Sequence, residues 1–178
     1  MPRRPGFPEI EHIRALPALT SQVISGEWED QNGHINVTFY LALYNESGWP
    51  MFDLIGIDET YFDVRKKGIV DLANHISYLS ELHVGDRVTT YGRFLGHDDK
   101  RIHGMVFTVN DDKNVLASAI EFLSISMDLR QRRPAAMPAD IAARVRSVVE
   151  AHRDLGWTVP TCLSIRAPDD PETSCLHY

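Results

Sequence analysis

Several features that would assign this 178-residue chain to a special class of protein are scarce or missing. Its two cysteines, Cys162 and Cys175, could pair, but so few thiols favour a reducing compartment over a disulfide framework. Acidic residues outnumber basic ones by 25 to 18, which argues against a nucleic-acid partner. No apolar run is long enough to cross a bilayer, and the first residues lack the apolar core of a secretion signal. These absences predict a cytoplasmic protein that binds neither nucleic acid nor membrane.

The length and composition of the chain are those of a single globular domain with extensions. A hydrophobic share of 43% and a charged share of 24% are ordinary for such proteins. Four prolines make residues 1–19 an irregular segment. We expect the main domain over residues 20–133, followed by a helix and a tail over residues 134–178.

Hydrophobic periodicity predicts an α+β arrangement. Residues 21–28 are typical of a strand, and residues 36–55 of a helix that is apolar over most of its circumference, so that other structure must wrap it. Pro50 predicts a kink or break in that helix after Trp49. From residue 70 the period changes to two, which predicts four successive strands joined by tight turns, the last three over residues 87–95, 101–109 and 115–127. An amphipathic helix over residues 139–154 and a tail over residues 155–178 complete a meander of about five strands around one helix.

The first of these four strands has two distinct faces. Its apolar face is predicted to hold Val70, Leu72, Ile76, Tyr78 and Leu82, and its polar face Asp71, Ala73, His75, Ser77 and Glu81. Tyr78 is therefore expected in the core, whereas His75 either lines a cleft or is a partly exposed structural residue. Asn74 needs hydrogen-bond partners if it is buried.

The segment from Asp30 to Asn36 is the first place to look for chemistry. It sets a carboxylate and a histidine beside the first N–H groups of a helix, which have no partner within the helix and can stabilise negative charge. Asp30 is either a catalytic carboxylate or a helix cap, and the local sequence does not separate the two. Gly33 serves a turn or a close approach of substrate. His34 either orients Asp30 or the substrate or simply contacts the fold at the helix entrance; we favour the site role, without an assigned proton transfer. Asn36 is interpreted first as the N-cap and second as a substrate contact.

These residues resemble the hot-dog-fold acyl-CoA thioesterases related to 4-hydroxybenzoyl-CoA thioesterase. The resemblance covers roughly residues 21–133 and is most specific to the branch associated with carnitine breakdown, which is thought to hydrolyse betainyl-CoA. In that branch an acidic residue is expected two positions before the histidine of the His-x-x-Tyr run, where this chain has Ala73. The matching runs are Asp30-x-x-Gly33-His34-x-Asn36-x-x-x-Tyr40, residues 75–88, residues 99–103 and residues 116–121.

The resemblance implies a hot-dog fold, an antiparallel sheet wrapped around a long central helix, and a thioesterase that cleaves a small or medium acyl-CoA. Asp30 would be the nucleophile or general base, with His34 as its catalytic neighbour. Substrate or oxyanion contacts would come from Gly33, Asn36 and His75. Coenzyme A would enter as part of the substrate, with no separate cofactor. The resemblance also implies a homodimer or higher homo-oligomer with its site at the seam.

Two other functions fit the same fold. An enoyl-CoA hydratase or dehydratase is disfavoured because its relatives separate Asp and His more widely than Asp30 and His34. A non-catalytic acyl-CoA-binding module is the second alternative, although no DNA-binding segment accompanies it.

Further side chains have more than one interpretation. Glu121 is either a second carboxylate near the site or a solvent-facing residue. Trp28, Tyr44 and Trp49 could form an aromatic box for a quaternary ammonium, but their helical spacing favours a core role. A metal site built from Asp30, His34 and Asn36 is rejected, because these residues are a poor ligand set. The candidate clusters for the phosphates of coenzyme A are Arg65-Lys66-Lys67, Lys100-Arg101 and Arg130-Arg132-Arg133.

Overall fold

The computed structural model describes residues 6–162, 164–165 and 168, and it contains a strongly paired antiparallel sheet with four helices. The helices are α1 (Ile10–Arg14), α2 (Val37–Asp53), α3 (Glu59–Asp63) and α4 (Ala139–Arg153). The strands are β1 (Ala18–Val23), β2 (Lys67–Tyr78), β3 (Arg87–His97), β4 (Arg101–Asn110), β5 (Val115–Asp128) and β6 (Arg133–Pro134). None of the helices in the described part of the chain has the length and apolar character needed to span a membrane.

Each face of the sheet has its own cover. On one face, Phe94 and Phe122 share a core cluster with Met51 of α2 and Val145 of α4. On the other face, Met105 and Phe107 pack with Ile13 of α1 and with residues 155–159, which follow α4. The α+β arrangement expected from the sequence is therefore confirmed. Residues 155–159, expected to lie in a tail, cover the sheet.

The strand order differs from the predicted meander. The order is β1-β3-β4-β5-β2, so β2 pairs with β5 and not with β3, which follows it in the chain. Residues 79–86, which join these two strands, therefore cross the end of the sheet, and Leu82 within them is fully buried. Only β3, β4 and β5 form consecutive hairpins. Since β2 has no partner on its other side, it is an edge strand among the described residues.

The faces of β2 were also predicted wrongly at its start. Its register against β5 shifts between Asp71 and Ala73, where an extra residue forms a bulge. A one-residue shift exchanges the two faces of a strand, so Asp71 and Asn74 both lie toward α2. The sequence pattern had placed Asp71 on the polar face of β2, opposite the face that holds the apolar residues. Asn74 is exposed, so the condition under which it was expected to need hydrogen-bond partners is not met, although its amide donates to the carboxylate of Asp71 (3.3 Å).

The helix α2 begins as predicted but is less enclosed than expected. The side-chain oxygen of Asn36 accepts from the amide of Thr38 (3.0 Å), which confirms the N-cap. The helix continues through Pro50 to Asp53, so the predicted break does not occur. Leu41 and Trp49 are exposed, because the sheet covers only one side of α2 in this chain.

The first strand is displaced from its predicted position. It ends at Val23, and a short 3₁₀ helix (Gly26–Trp28) occupies the stretch expected to be its second half. The side chain of Ser25 caps this turn by accepting from the amide of Glu27. The capping serine and the following glycine favour a turn over an extended strand.

Candidate active site

The loop that precedes α2 is a tight, internally bonded turn. The amide of Asp30 donates to the carbonyl oxygen of His34 (2.9 Å), and the amide of Gly33 donates to that of Asp30 (3.1 Å). Gly33 has a φ of 79°, a conformation that favours glycine, which explains its place in the motif. The loop is thus held by its own backbone.

Two further bonds fix the loop to the rest of the domain. The amide of Ile35 donates to the carbonyl oxygen of Leu82 (2.9 Å), and the amide of Asn36 donates to that of Trp28 (2.9 Å). Trp28 stacks on Phe39 in the first turn of α2, with ring centroids 4.7 Å apart. The entrance of α2 is consequently held between the chain before it and the crossing segment after β2.

Asp30 does not cap α2. Its Oδ1 accepts from the amide of Asn32 (2.7 Å) within the loop, whereas Asn36 is the residue that caps the helix. The side chain of Asp30 keeps 16% of its surface exposed. The structural alternative for Asp30, helix capping, is therefore wrong, and its carboxylate remains available for chemistry.

His34 lies beside Asp30 with one ring nitrogen occupied. Its Nδ1 is 3.2 Å from the carbonyl oxygen of Ile35 and 3.7 Å from Oδ2 of Asp30. Since both neighbours are acceptors, Nδ1 carries the proton in the neutral ring and Nε2 is left for another group. Asp30 and His34, predicted together, are brought together.

The start of α2 also presents an amide next to this pair. The amides of Thr38 and Phe39 are bonded to Asn36, through its side chain and its carbonyl oxygen. Val37, the first helical residue, has no acceptor within the helix. The sequence motif did not single out this N–H group, because its availability depends on which residue caps the helix.

A cleft of about 230 Å³ adjoins the loop. Its wall includes Tyr40, whose hydroxyl donates to the carbonyl oxygen of Ser80 (3.3 Å) and whose ring packs edge-on against Tyr78. Burial raises the pKa of Tyr40, so this hydroxyl remains protonated at neutral pH. The lining residues are His34, Ile35, Val37, Tyr40, Tyr78, Leu79, Ser80 and Glu81.

Several other predicted residues lie elsewhere. His75 is exposed and pairs in register with Glu121, on the face of the sheet away from α2. Glu121 is buried, so its solvent-facing interpretation is wrong; it accepts from the Cys162 amide (2.6 Å) and contacts Nε2 of His103 (2.7 Å). Tyr78 is 41% exposed, which corrects its assignment to the core. Within one chain, His75 therefore does not join the Asp30 loop.

The predicted pairing of the two thiols falls partly outside the described residues. Cys162 forms no disulfide with any residue that the structure describes. Cys175 lies outside the described residues, so its pairing stays untested.

A second cavity, of about 310 Å³, lies between α2 and the beginning of β2. Tyr44 and Trp49 line it together with Asp71, whereas Trp28 lies at the Asp30 loop. Trp49 is 53% exposed, so its predicted core role is wrong. The remaining lining residues are Asn45, Gly48, Phe52, Ile57, Phe62 and Ile69.

Two of the three basic clusters include residues that form an ion pair with a carboxylate. Arg65 pairs with Asp140 (2.8 Å), Lys67 with Asp128 (3.1 Å) and Arg101 with Asp98 (2.6 Å). The other basic residues of the clusters have no carboxylate partner among the residues that the structure describes. They are Lys66, Lys100, Arg130, Arg132 and Arg133.

A long helix set against an antiparallel sheet, with a carboxylate, a histidine and an amide at the helix entrance, is the arrangement expected of a hot-dog-fold thioesterase. The chain belongs to the thioesterase-like superfamily, whose family model matches residues 25–145. It is a thioester hydrolase, and the expected hot-dog fold is confirmed.

Two relatives are similar to this chain over more than two thirds of its length. A betainyl-CoA thioesterase from Pseudomonas aeruginosa is 32% identical over 131 residues, which cover 72% of this chain and 81% of that protein. An L-carnitine dehydrogenase/betainyl-CoA thioesterase from Rhizobium meliloti is 28% identical over 140 residues; the match covers 77% of this chain and 27% of that longer protein.

Solved structures agree on the fold. A hypothetical protein from Staphylococcus aureus, determined in complex with CoA, superposes with a TM-score of 0.71 at 21% identity, over 83% of this chain and 97% of its own. A 1,4-dihydroxy-2-naphthoyl-CoA thioesterase from Synechocystis gives a TM-score of 0.63 at 12% identity, over 72% of this chain and 95% of its own.

Proposed function

We propose that this protein hydrolyses a small or medium acyl-CoA to the free acid and coenzyme A, and that betainyl-CoA is the first substrate to test. The relative from Pseudomonas aeruginosa supports this choice of substrate. The observation that carries the catalytic assignment is the carboxylate of Asp30, which does not cap α2 and lies beside His34 at the helix entrance. Coenzyme A enters as part of the substrate, and the proposed reaction needs no cofactor.

Asp30 acts on the thioester carbonyl in one of two ways. As a nucleophile, its oxygen bonds to the carbonyl carbon, the C–S bond breaks, the thiolate leaves to take up a proton, and water then hydrolyses the mixed anhydride. As a general base, Asp30 takes a proton from a water molecule as its oxygen bonds to the same carbon; the C–S bond then breaks and the thiolate leaves to take up that proton. Both routes place negative charge on the carbonyl oxygen, where the amide of Val37 and the positive end of α2 stabilise it.

The proposal includes a homodimer formed through β2. This edge strand leaves backbone donors and acceptors unpaired, and it exposes Val70 and Leu72, each more than two-fifths accessible. On α2, Leu41 and Trp49 are also exposed, and Trp49 lines the cavity beside Asp71 of β2. Pairing of two β2 strands would cover both sets and continue the sheet across the seam.

We further propose which basic residues hold the phosphates of coenzyme A, and that the protein is cytoplasmic. Arg130, Arg132 and Arg133 lie beyond the end of β5, beside Lys66, whose carbonyl oxygen accepts from the amide of Leu129 (2.9 Å). Their unpaired positive charge supports a role in holding phosphate groups. The low cysteine content supports a cytoplasmic location.

The test of the catalytic assignment is Asp30→Asn, which keeps the shape of the side chain and removes its charge. Release of free thiol from betainyl-CoA and from other short acyl-CoAs should fall by at least about a hundredfold, because the variant loses both the nucleophile and the base. Circular dichroism and thermal unfolding check that the variant folds. Glu29→Gln, an equal charge change at the exposed neighbouring residue, should leave the rate within about twofold.

Full activity of the Asp30→Asn variant would contradict the assignment. Crotonyl-CoA hydration, measured in parallel, separates the hydratase alternative. Tight acyl-CoA binding by the unmodified protein without thiol release would instead indicate the non-catalytic binding module.

A further inference from the structure

The cavity between α2 and β2 combines aromatic faces with a carboxylate. Tyr44 and Trp49 come from successive turns of α2, and Phe62 comes from α3. The rings of Trp49 and Phe62 meet edge to face with centroids 5.2 Å apart, which fixes their relative orientation. Asp71 enters the same cavity from β2, at the bulge that turns it toward α2.

The carboxylate of Asp71 is held by neutral donors only. The Tyr44 hydroxyl donates to its Oδ2 (2.6 Å) and the Ser124 hydroxyl donates to its Oδ1 (2.6 Å). Among the described residues no lysine, arginine or histidine forms an ion pair with Asp71. Burial and the neighbouring carboxylate both raise the pKa of Tyr44, so this residue stays a hydroxyl donor. The cavity consequently carries one carboxylate that is fixed in position and has no counter-ion among the described residues.

Aromatic faces and one carboxylate suit a particular kind of ligand. A quaternary ammonium has no N–H to hydrogen-bond, so it is held by the negative faces of aromatic rings and by a nearby anion. An inorganic cation would need several oxygen ligands, and Asp71 is the only acidic side chain among the residues that line this cavity. A neutral acyl chain would gain nothing from the charge of Asp71.

We propose that the cavity lined by Tyr44, Trp49, Phe62 and Asp71 binds the quaternary ammonium end of the acyl group. This inference rests on the proposed function and specifies which side chains select the substrate. Asp71 supplies the negative charge, Trp49 and Phe62 supply ring faces, and Tyr44 orients the carboxylate. None of these residues takes part in the bond-breaking step.

The position of the cavity requires the second copy of the chain. Within one chain, Asp71 and Tyr78 are seven residues apart along β2, which at the rise of a strand is roughly 20 Å, and the Asp30 loop adjoins the Tyr78 end. In a betainyl thioester the nitrogen is only two bonds from the carbonyl carbon, so the cation cannot reach the cavity of its own chain. Antiparallel pairing of two β2 strands sets the Asp71 end of one against the Tyr78 end of the other. Each complete site therefore joins the Asp30 loop of one protomer to the cation cavity of its partner.

The test compares two substrates of equal shape. Betainyl-CoA and tert-butylacetyl-CoA differ only in having N⁺ or C at the branch point, so the ratio of their kcat/KM values measures recognition of charge. Asp71→Asn should lower this ratio at least about tenfold, and Trp49→Leu should lower it by roughly threefold to thirtyfold. Circular dichroism and thermal unfolding show whether both variants are folded, and the ratio cancels any loss of activity that is common to the two substrates. Asp53→Asn, an equal charge change at an exposed residue outside the cavity, is the matched control and should leave the ratio unchanged.

The outcomes separate this inference from the catalytic assignment. An unchanged ratio in Asp71→Asn, with Asp30 still essential for both substrates, overturns the cation site and leaves the thioesterase proposal standing. A ratio near one in the unmodified protein also overturns it. Activity that survives Asp30→Asn defeats the catalytic assignment independently of the ratio.

Mixed dimers test the arrangement across the seam. When Asp30→Asn and Asp71→Asn chains are reassembled together, a hybrid dimer has one site with both native residues and one site with neither. Random reassembly should then restore betainyl-CoA hydrolysis to about a quarter of the native level. Absence of recovery, with hybrid dimers shown by native mass spectrometry, would overturn the shared site, since it is the result expected if both residues act within one chain.

Discussion

His152 shows how burial sets the charge of a single residue. It is 8% exposed at the end of α4, where its Nδ1 accepts from the amide of Phe94 (2.9 Å). Arg93 donates to its carbonyl oxygen (2.7 Å) and places positive charge nearby. Burial first, and the charge of Arg93 second, lower the pKa of His152 below its ordinary value of 6.5. The native state thus contains the neutral ring.

This shift predicts a loss of stability in mild acid. Between the ordinary pKa and the lower native pKa, His152 is protonated in the unfolded chain but neutral in the native state. The free energy of unfolding therefore begins to fall as the pH drops through about 6.5, and it continues to fall until the pH reaches the native pKa. His152→Gln retains an acceptor for the amide of Phe94 but does not titrate. Urea unfolding at about pH 7.5 and about pH 5.5 should show a smaller decrease for the variant than for the native protein. Equal decreases would contradict the assignment of the neutral ring.

Asp71 lies on a face of the sheet that the order of apolar and polar residues in the sequence did not predict. The resemblance called for an acidic residue at position 73, and the chain has Ala73 there. The bulge in β2 turns Asp71 toward α2, whereas Ala73, which pairs with Leu123, lies on the other face of the sheet. A bulge cannot be recognised from the alternation of apolar and polar residues in the sequence, because its position depends on how the strand pairs with its neighbour.

At the scale of the element, α2 connects stability to the site. Its N-cap, Asn36, accepts from both the amide and the hydroxyl of Thr38 at 3.0 and 2.9 Å. This cap also determines which amide at the helix entrance is left free, namely that of Val37. The same side chain therefore stabilises the helix and arranges the donor proposed for the oxyanion.

Replacing this cap should separate its two effects. Asn36→Ala should lower the free energy of unfolding by about 1 kcal/mol, because the Thr38 amide loses its acceptor. Asn36→Ser, which retains a capping oxygen and adds no charge, should stay within about 0.5 kcal/mol of the native protein. Thermal and urea unfolding give both values. If Asn36→Ser keeps stability but loses thioesterase activity, Asn36 contacts the substrate as well as capping α2.

At the scale of the whole molecule, β2 is the surface on which assembly depends. It is the edge strand next to β5, and Leu72 at its bulge is 44% exposed. Trp49, exposed on α2, lines the cavity next to this strand. A monomer would leave both in water, and the proposed dimer covers them.

A charge placed on this edge should dissociate the proposed dimer. Leu72→Lys is expected to reduce the mass measured by sedimentation from two chains to one and to abolish thioester hydrolysis, because each proposed site needs both protomers. Val23→Lys introduces the same charge at a similarly exposed residue (49%) of β1, on the opposite edge of the sheet. This control should remain a dimer with native activity. An active monomer of the Leu72→Lys variant would contradict both the dimer and the shared site.

The sequence by itself determined the parts that depend on local chemistry. The N-cap at Asn36, the turn at Gly33, the boundaries of β3, β4 and β5 and the amphipathic α4 follow from capping, backbone preference and periodicity over a few residues. The motif from Asp30 to Asn36 also identified the loop in which the carboxylate and histidine meet.

Only the tertiary structure decided which strands pair and which side chains share a cavity. The pairing of β2 with β5, the bulge beside Asp71 and the meeting of Tyr44 with Asp71 join residues far apart in the chain. Such contacts depend on the packing of the whole sheet against α2, where burial of apolar surface outweighs local preference. Helical spacing assigned Trp49 to the core, but the sheet covers only the other side of α2, so this ring lines a cavity at the open edge.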